Sequence, residues 1–199
     1  KGARARPSEF SASERTEAAE RGFAIAAEGE PGIRHLLADL QRKCPSDDGH
    51  AGPQAMFGDL HDWAARTDLE RGPLVDILHR HILETVPVGP GDMVLGQPVS
   101  ERFLHSIRTL SLSAGVHPKR LRKLLEARGL IRPEDRERHD NRVVFDAALG
   151  EATAREITDS ISRVDLPGRL GLGRGVTASL IAEELLTPVL VPDAEYELK

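Results

Sequence analysis

Apolar side chains in this chain recur mainly three and four residues apart, which is the spacing of one face of an α-helix. The pattern predicts four helices in the first half of the chain, over residues 14–27, 33–40, 54–66 and 73–86. Ser13 is the expected N-cap of the first helix, and clusters of glycine and proline separate the helices. The Arg-, Ala-, Ser- and Pro-rich tract before it is expected to be loosely structured.

Two of these helices have a distinct apolar stripe, which we expect to be buried. In the 54–66 helix the stripe consists of Met56, Phe57, Leu60, Trp63 and Ala64, and the tryptophan is expected to pack between helices. In the 73–86 helix it consists of Leu74, Ile77, Leu78, Ile82 and Val86. His79 and His81 point to different faces of that helix, so they cannot jointly hold a metal ion, and we expect both at the surface.

The fold class predicted by these patterns is all-α, multi-helical, with at most one short β-hairpin at residues 93–99. Aromatic residues make up only 4% of the chain, so the core must rest on aliphatic side chains, which favours helices. Cys44 is the single cysteine, which excludes a disulfide framework and favours the cytoplasm. There is no run of 18 apolar residues, so we expect no transmembrane helix and no membrane among the partners. The chain starts at Lys1 without Met or an apolar signal segment, and we do not take it to be complete.

Residues 106–125 match the requirements of a helix-turn-helix unit. Gly115 stands at the turn, where the backbone needs a positive φ, and Ser111 is the small residue where the helices cross. Pro118 lies in the first turn of the second helix, which is predicted over 118–127. Apolar residues fall at the positions that lock the two helices together: Leu110, Ala114, Val116, Leu121 and Leu124.

The outward face of this second helix is basic, as in a recognition helix that places its front in a DNA groove. The candidate DNA-binding residues are Arg108, His117, Lys119, Arg120, Arg122 and Lys123. The charge distribution agrees, because residues 101–132 carry eight basic and two acidic side chains in a chain of net charge −5. A helical hairpin with a solvated basic face remains the alternative.

Residues 162–180 form a weak repeat of this unit at an offset of 56 residues, with Gly171 at the turn. The locking positions are then occupied by Leu166, Leu170, Leu172, Thr177 and Leu180. Arg174 is the single cation on the outward face, so we expect this second helix-turn-helix to pack or to bind protein. The helix that links the copies is predicted over 145–162, with an interruption at Gly150.

The sequence gives no reason to expect an enzyme, a cofactor or a metal site. No GxxxxGK[ST] motif is present, and the glycine-rich segment 168–175 lacks the strand that precedes a nucleotide-binding loop. Asp47, Asp48 and His50 beside Cys44 form the densest cluster of metal-ligand residue types, but they fall in a predicted loop.

Several phrases of the sequence resemble the TniQ family of transposition proteins. The specific ones lie in the first helix-turn-helix, at 105–109, 115–125 and 129–131. Supporting phrases are Met56-Phe57-Gly58-Asp59-Leu60 with Trp63, His81-Ile82-Leu83, Gly96-Gln97-Pro98-Val99 and Leu185-Leu186-Thr187-Pro188. The resemblance covers about residues 30–190. Members usually carry zinc-binding Cys motifs nearer the N-terminus. This chain has none, so we expect either that it lacks that part or that it is a fragment of a longer protein that contains it.

The resemblance implies a DNA-binding adaptor that takes part in transposon target-site selection. Such an adaptor bridges double-stranded DNA or a targeting complex to an AAA+ ATPase, which are therefore the expected partners. Two other classes stay open: a protein-interaction scaffold whose basic helix binds an acidic partner, and a helix-turn-helix transcriptional repressor. The oligomeric state is also open, with a dimer among the alternatives.

We therefore divide the chain into four segments. They are an N-terminal tract and helix (1–30), an acidic helical domain (31–100), the basic helix-turn-helix unit (101–142) and the second helix-turn-helix unit (143–199). The acidic block 31–86 and the second unit are expected to serve protein partners, because negative charge repels the phosphates of DNA.

Overall fold

The computed structural model describes residues 10–44, 52–66 and 72–190. These residues form two compact units, of which the first runs through Val86 and includes Pro90–Ser100. The second unit consists of Pro87–Gly89 and the residues from Glu101 onward. The described residues are mostly helical, with two small two-stranded antiparallel sheets, which confirms the predicted helical class and its short hairpin.

In the first unit, α2 packs against α1, α3 and α5, and Leu37, Leu78 and Ile82 are fully buried. Its described elements are α1 (Ala12–Ala27), α2 (Glu30–Lys43), α3 (Pro53–Phe57), α4 (Asp59–Arg66), α5 (Pro73–Thr85), β1 (Met93–Val94) and β2 (Gln97–Pro98). The two strands form the hairpin predicted at 93–99, and Leu95 and Gly96 both have positive φ at its turn.

Helix α1 begins two residues closer to the N-terminus than the position of Ser13 predicts. Its N-cap is Ser11, whose Oγ accepts a hydrogen bond from the Glu14 N–H at 3.2 Å. The Glu14 carboxylate in turn accepts from the Ser11 N–H at 2.8 Å, and this bond lowers the pKa of Glu14. Ser11 is the N-cap in place of Ser13 because a glutamate lies three residues after Ser11, which completes a capping box.

The predicted helix over 54–66 is in fact two helices, because Gly58 has a φ of +53° between α3 and α4. The change of direction puts the two halves out of phase with one another. Phe57 and Ala64 are buried, whereas the side chain of Trp63 is 50% exposed. The expectation of one continuous buried stripe that includes Trp63 is therefore wrong.

The expectation that both histidines of α5 lie at the surface is wrong for His81. Its side chain is buried, its Nε2 lies 2.9 Å from Oε1 of Gln41 on α2, and its ring meets that of Phe57 edge to face. Burial lowers the pKa of His81, so the neutral ring is favoured in this polar contact between helices. His79 is partly buried.

In the second unit, two short strands each lead directly into a helix. Leu104–Ser106 (β3) pairs with Val144–Asp146 (β4) in antiparallel register, with His105 opposite Phe145. The sequence patterns did not predict this pair, because strands of three residues are too short for a period-two signal. The helices are α6 (Ile107–Ala114), α7 (Pro118–Ala127), α8 (Ala147–Thr158), α9 (Leu166–Leu170) and α10 (Arg174–Ala182), with a 3₁₀ turn at Pro133–Asp135.

One hydrophobic core joins α6, α7 and α8. It consists of Ile107, Leu110, Val116, Leu121, Leu124, Leu125, Ile131, Val143, Phe145, Ala154 and Ile157. Val189 and Leu190 pack against it from the end of the described chain. Thus α8, which lies in the predicted 143–199 segment, contributes to the same core as the first helix-turn-helix.

Helix α8 is continuous through Gly150, which corrects the predicted interruption there. A Cβ at this position would lie 2.4 Å from the Phe145 ring and 3.1 Å from a methyl group of Leu110. The glycine is needed because α8 approaches these side chains closely, so it reflects a packing constraint and not a break in the helix.

Leu121→Ala tests the helix-turn-helix core. We expect it to lower the free energy of unfolding by about 2–5 kcal/mol, because Leu121 is fully buried. The matched change Leu112→Ala, at a side chain that is 71% exposed, should shift it by no more than about 0.5 kcal/mol. Urea denaturation followed by circular dichroism measures both; equal losses would show that Leu121 is not a core residue.

Gly150→Ala tests the close approach of α8. We expect it to destabilise the protein by about 1–3 kcal/mol through overpacking, although alanine has the higher helix propensity. The control is Gly175→Ala in α10, where an added Cβ meets none of the described atoms within 4 Å. Its effect on the melting temperature should be neutral or stabilising. A stabilised Gly150→Ala protein would contradict the packing.

Candidate nucleic-acid interface

The turn between α6 and α7 has the geometry of a helix-turn-helix. Gly115 adopts a left-handed conformation with φ +66° and ψ 25°, as predicted. The N–H groups of Gly115 and Val116 both donate to the carbonyl oxygen of Ser111. The Ser111 hydroxyl donates to the Val116 carbonyl at 2.6 Å, so this small residue also ties the turn together.

The buried leucines fix which side of α7 faces outward. Leu121, Leu124 and Leu125 are fully buried against α6 and α8. At 100° per residue, the side opposite them is occupied by Lys119 and Lys123, and both are exposed. We call these two residues and the surface around them the outward face of α7.

Arg120 and His117 lie beside the outward face. Arg120 is exposed on the flank nearest the end of α8, and its Nη2 lies 3.4 Å from Oγ of Ser160. His117 is the N-cap of α7, with Nδ1 accepting from the Lys119 N–H at 3.3 Å. Its ring is exposed at the N-terminal end of the helix, the position where recognition helices contact DNA.

The other flank of α7 carries Arg122, which differs from the other candidates. Its guanidinium binds Asp140 and two backbone carbonyl groups of the loop that follows α7, and only 20% of its side chain is exposed. Arg108 is exposed on α6 nearby, and its backbone N–H donates to the Asp140 carbonyl at 3.4 Å. Residue type alone gave no signal that Arg122 would be engaged in this way.

The described part of the chain leaves several of these cations without an ion-pair partner. Arg108, Lys119 and Arg120 form no ion pair within it, whereas Arg128 pairs with Glu156 on α8. That pairing lowers the pKa of Glu156. The positive charge of Arg108, Lys119 and Arg120 is therefore not neutralised by an ion pair within the described residues.

Arg136 is a surface cation that the sequence patterns did not single out. It lines a surface depression together with Lys123, Glu126, Ala127, Arg128 and the segment Thr187–Leu190. Arg136 is exposed and lies in the loop after α7. The acidic and basic residues of this loop alternate, so the sequence shows no local excess of positive charge there. Its position beside α7 depends on how that loop folds back.

The start of α6 is held by a buried polar cluster. Ser106 and Thr109 form a capping box, and Nδ1 of His105 lies 3.0 Å from the Thr109 hydroxyl. Nε2 of His105 lies 3.4 Å from the Glu151 carboxylate on α8. Burial lowers the pKa of His105 and outweighs the opposing effect of Glu151. The neutral ring therefore joins β3, α6 and α8.

The second helix-turn-helix, α9 and α10, repeats the turn geometry of the first. Gly171 has φ +64° and ψ 26°, and the Leu172 N–H donates to the Pro167 carbonyl as the Val116 N–H does to Ser111. Helix α10 begins at Arg174, 56 residues after Pro118. The backbone thus supports the predicted repeat.

The packing of the two copies is different. Thr177 is buried at the position of Leu121, and its hydroxyl donates to the backbone carbonyls of Gly173 and Arg174. The leucines and valine around it stay partly in solvent, with Leu170 42%, Leu172 39% and Val176 51% exposed. This segment therefore presents an apolar surface, whereas the first presents a basic one.

Within the described ranges, no group of three or more His, Cys, Asp or Glu side chains is arranged to hold a metal ion. Asp47, Asp48 and His50 of the predicted Cys44 cluster lie outside those ranges. None of the helices described here is long and apolar enough to cross a bilayer. Comparison of the chain with family models, curated proteins and solved structures finds no match.

The buried side chain of His105 predicts that the stability of the protein depends on pH. Because the pKa of His105 is lowered in the folded state, its stabilising contribution is present above the unfolded pKa of about 6.5 and is lost as the pH falls through the folded value. We expect the free energy of unfolding to fall as the pH drops below about 6.5, where the unfolded chain takes up a proton that the folded protein does not. His105→Gln should flatten that decline, and His139→Gln, at an exposed side chain, should not. Equal pH profiles for the two variants would refute this role.

Proposed function

We propose that this chain is a DNA-binding adaptor that contacts double-stranded DNA through α7 and has no catalytic activity of its own. The observation that carries the proposal is the outward face of α7. Lys119 and Lys123 are held there in one orientation by three buried leucines, with Arg120 and His117 beside them. A rigid helix with an apolar back and a basic front is the arrangement that helix-turn-helix proteins insert into the major groove.

The adaptor part of the proposal rests on the second helix-turn-helix. Arg174 is exposed on α10, but the segment around it offers Leu170, Leu172 and Val176 to solvent. Apolar side chains grouped at a surface favour contact with protein over contact with phosphate. A basic copy for DNA and an apolar copy for a partner are what a bridging protein requires.

The resemblance of 105–131 to the TniQ family supplies the biological role in this proposal. On that basis the chain takes part in transposon target-site selection in the cytoplasm. It links DNA or a targeting complex to an AAA+ ATPase. The first unit presents less free negative charge to a partner than its composition suggests, because Arg34 forms ion pairs with Glu30 and Glu84.

A second candidate is a protein-interaction scaffold without direct DNA binding. The exposed apolar side chains of α9 and α10 favour it as much as they favour the adaptor. In that case the basic face of α7 would bind an acidic protein instead of DNA. A transcriptional repressor is the third candidate, and it shares the DNA-binding step with the adaptor.

A DNA titration with matched charge variants separates these functions. We expect the native chain to bind duplex DNA with a steep salt dependence, because phosphate contacts release counterions. Lys119→Ala combined with Lys123→Ala should flatten the slope of log K against log salt by about two units. The control is Arg169→Ala combined with Arg174→Ala, which removes the same charge from the second helix-turn-helix and should leave the slope unchanged.

Fluorescence anisotropy with a labelled duplex at several salt concentrations measures these slopes. No binding at the lowest salt would exclude the adaptor and favour the scaffold. Equal slopes for the two double variants would show that DNA binding is not localised on α7.

A further inference from the structure

Residues 132–142, which follow α7, form a surface loop that we call the clamp loop. Its two ends are anchored because the adjacent side chains of Ile131 and Val143 are buried in the core of the second unit. Its first part is ordered by the 3₁₀ turn at Pro133–Asp135. The residues of the loop are mostly polar, yet both of its ends are fixed by the buried side chains next to them.

Arg122 holds the middle of the clamp loop against α7. Its Nη1 donates to the carbonyl oxygen of Arg136 at 2.8 Å, and its Nη2 donates to that of Arg138 at 2.7 Å. Nε and Nη2 also donate to Oδ1 of Asp140, at 3.1 Å and 2.7 Å. Four of the five N–H donors of the guanidinium are thus committed within the protein, which leaves little for a ligand.

We infer that the clamp loop is a second DNA-contacting element, in which Arg136 binds the phosphate backbone beside α7 and Arg122 positions the loop. The inference rests on the proposed DNA binding of α7 and extends it to a named residue on a different element. It also changes the role of Arg122 from a candidate DNA contact to a positioning residue.

The location and freedom of Arg136 support this role. Its side chain is exposed and lines the same depression as Lys123 and Arg128, so three cations border this depression, with Glu126 as its one carboxylate among the described residues. Among the described residues, Arg136 has no ion-pair partner, whereas Arg138 pairs with Asp135 at 2.8 Å. Arg132 is likewise exposed and forms no ion pair among the described residues, but it does not line this depression. The shared depression is therefore what makes Arg136 the clamp-loop arginine whose charge extends the outward face of α7.

The acidic residues of the clamp loop do not cancel this charge. Asp140 and Asp135 are each paired with an arginine of the same unit. Glu134 and Glu137 are exposed, and they oppose phosphate binding. The loop is close to neutral overall, so its contact with DNA depends on the placement of Arg136 and not on bulk attraction.

Arg136→Ala tests the direct contact. We expect it to flatten the slope of log K against log salt by about one unit, which is the loss of one phosphate contact. Arg136→Lys should keep the slope, because a phosphate accepts either cation. Arg155→Ala is the matched control, since it removes an exposed arginine from α8 of the same unit and should leave the slope unchanged.

Arg122→Lys tests the positioning role, because it keeps the charge but cannot reproduce four hydrogen bonds from a planar fork. We expect the slope to flatten as it does for Arg136→Ala, and Arg136→Ala should cause no further loss in the Arg122→Lys background. If Arg122 bound phosphate directly, lysine would keep both affinity and slope. Circular dichroism of each variant verifies that it is folded.

The results separate this inference from the proposed function. If Arg136→Ala behaves like Arg155→Ala while the α7 variants lose binding, the clamp loop is not a contact and the role of α7 stands. If Arg122→Lys binds as the native chain does, the positioning role is wrong. If the native chain does not bind duplex DNA, both the function and this inference are wrong.

Discussion

The burial of Leu121, Leu124 and Leu125 sets the rotation of α7 about its own axis, and the basic surface depends on that rotation. Two glycines make the burial possible. Gly115 allows the tight left-handed turn that brings α7 back onto α6, and Gly150 allows α8 to approach closely enough to close the core. Without this packing the same cations would be distributed around a helix of no fixed orientation. A local packing constraint therefore defines the candidate interface.

Ion pairs within the second unit then decide which cations of the basic surface remain available to bind DNA. Arg128 is neutralised by Glu156, and Arg122 is committed to Asp140 and the clamp loop. Lys119 and Arg136 form no ion pair within the described residues, so their charge is directed outward. A chain with net charge −5 can still present a positive surface, because fields between exposed charges decay within about 8–10 Å at physiological salt.

The sequence predicted the parts of the fold whose signals are local. The bounds of α7, the positive φ of Gly115 and the burial of Leu121 follow from turn chemistry and periodicity within 20 residues. Contacts between distant segments were not predictable in this way. The β3–β4 pair and the close approach of Gly150 to Leu110 each join segments far apart in the chain. Arg122 and Asp140 are 18 residues apart, but their contact depends on how the irregular loop between them folds back, which periodicity does not indicate. Likewise, the sequence places Arg122 and Lys119 together as candidates, and only the folded environment shows that Arg122 is committed within the protein.

Amide hydrogen exchange of the full chain, with and without a DNA duplex at low salt, tests the central claim most directly. The measurement reports which backbone segments become protected when DNA binds. We expect added protection at the N-terminal end of α7 and in the clamp loop, with α9, α10 and the first unit unchanged. Protection confined to α9, α10 or the first unit, with none at α7, would contradict it.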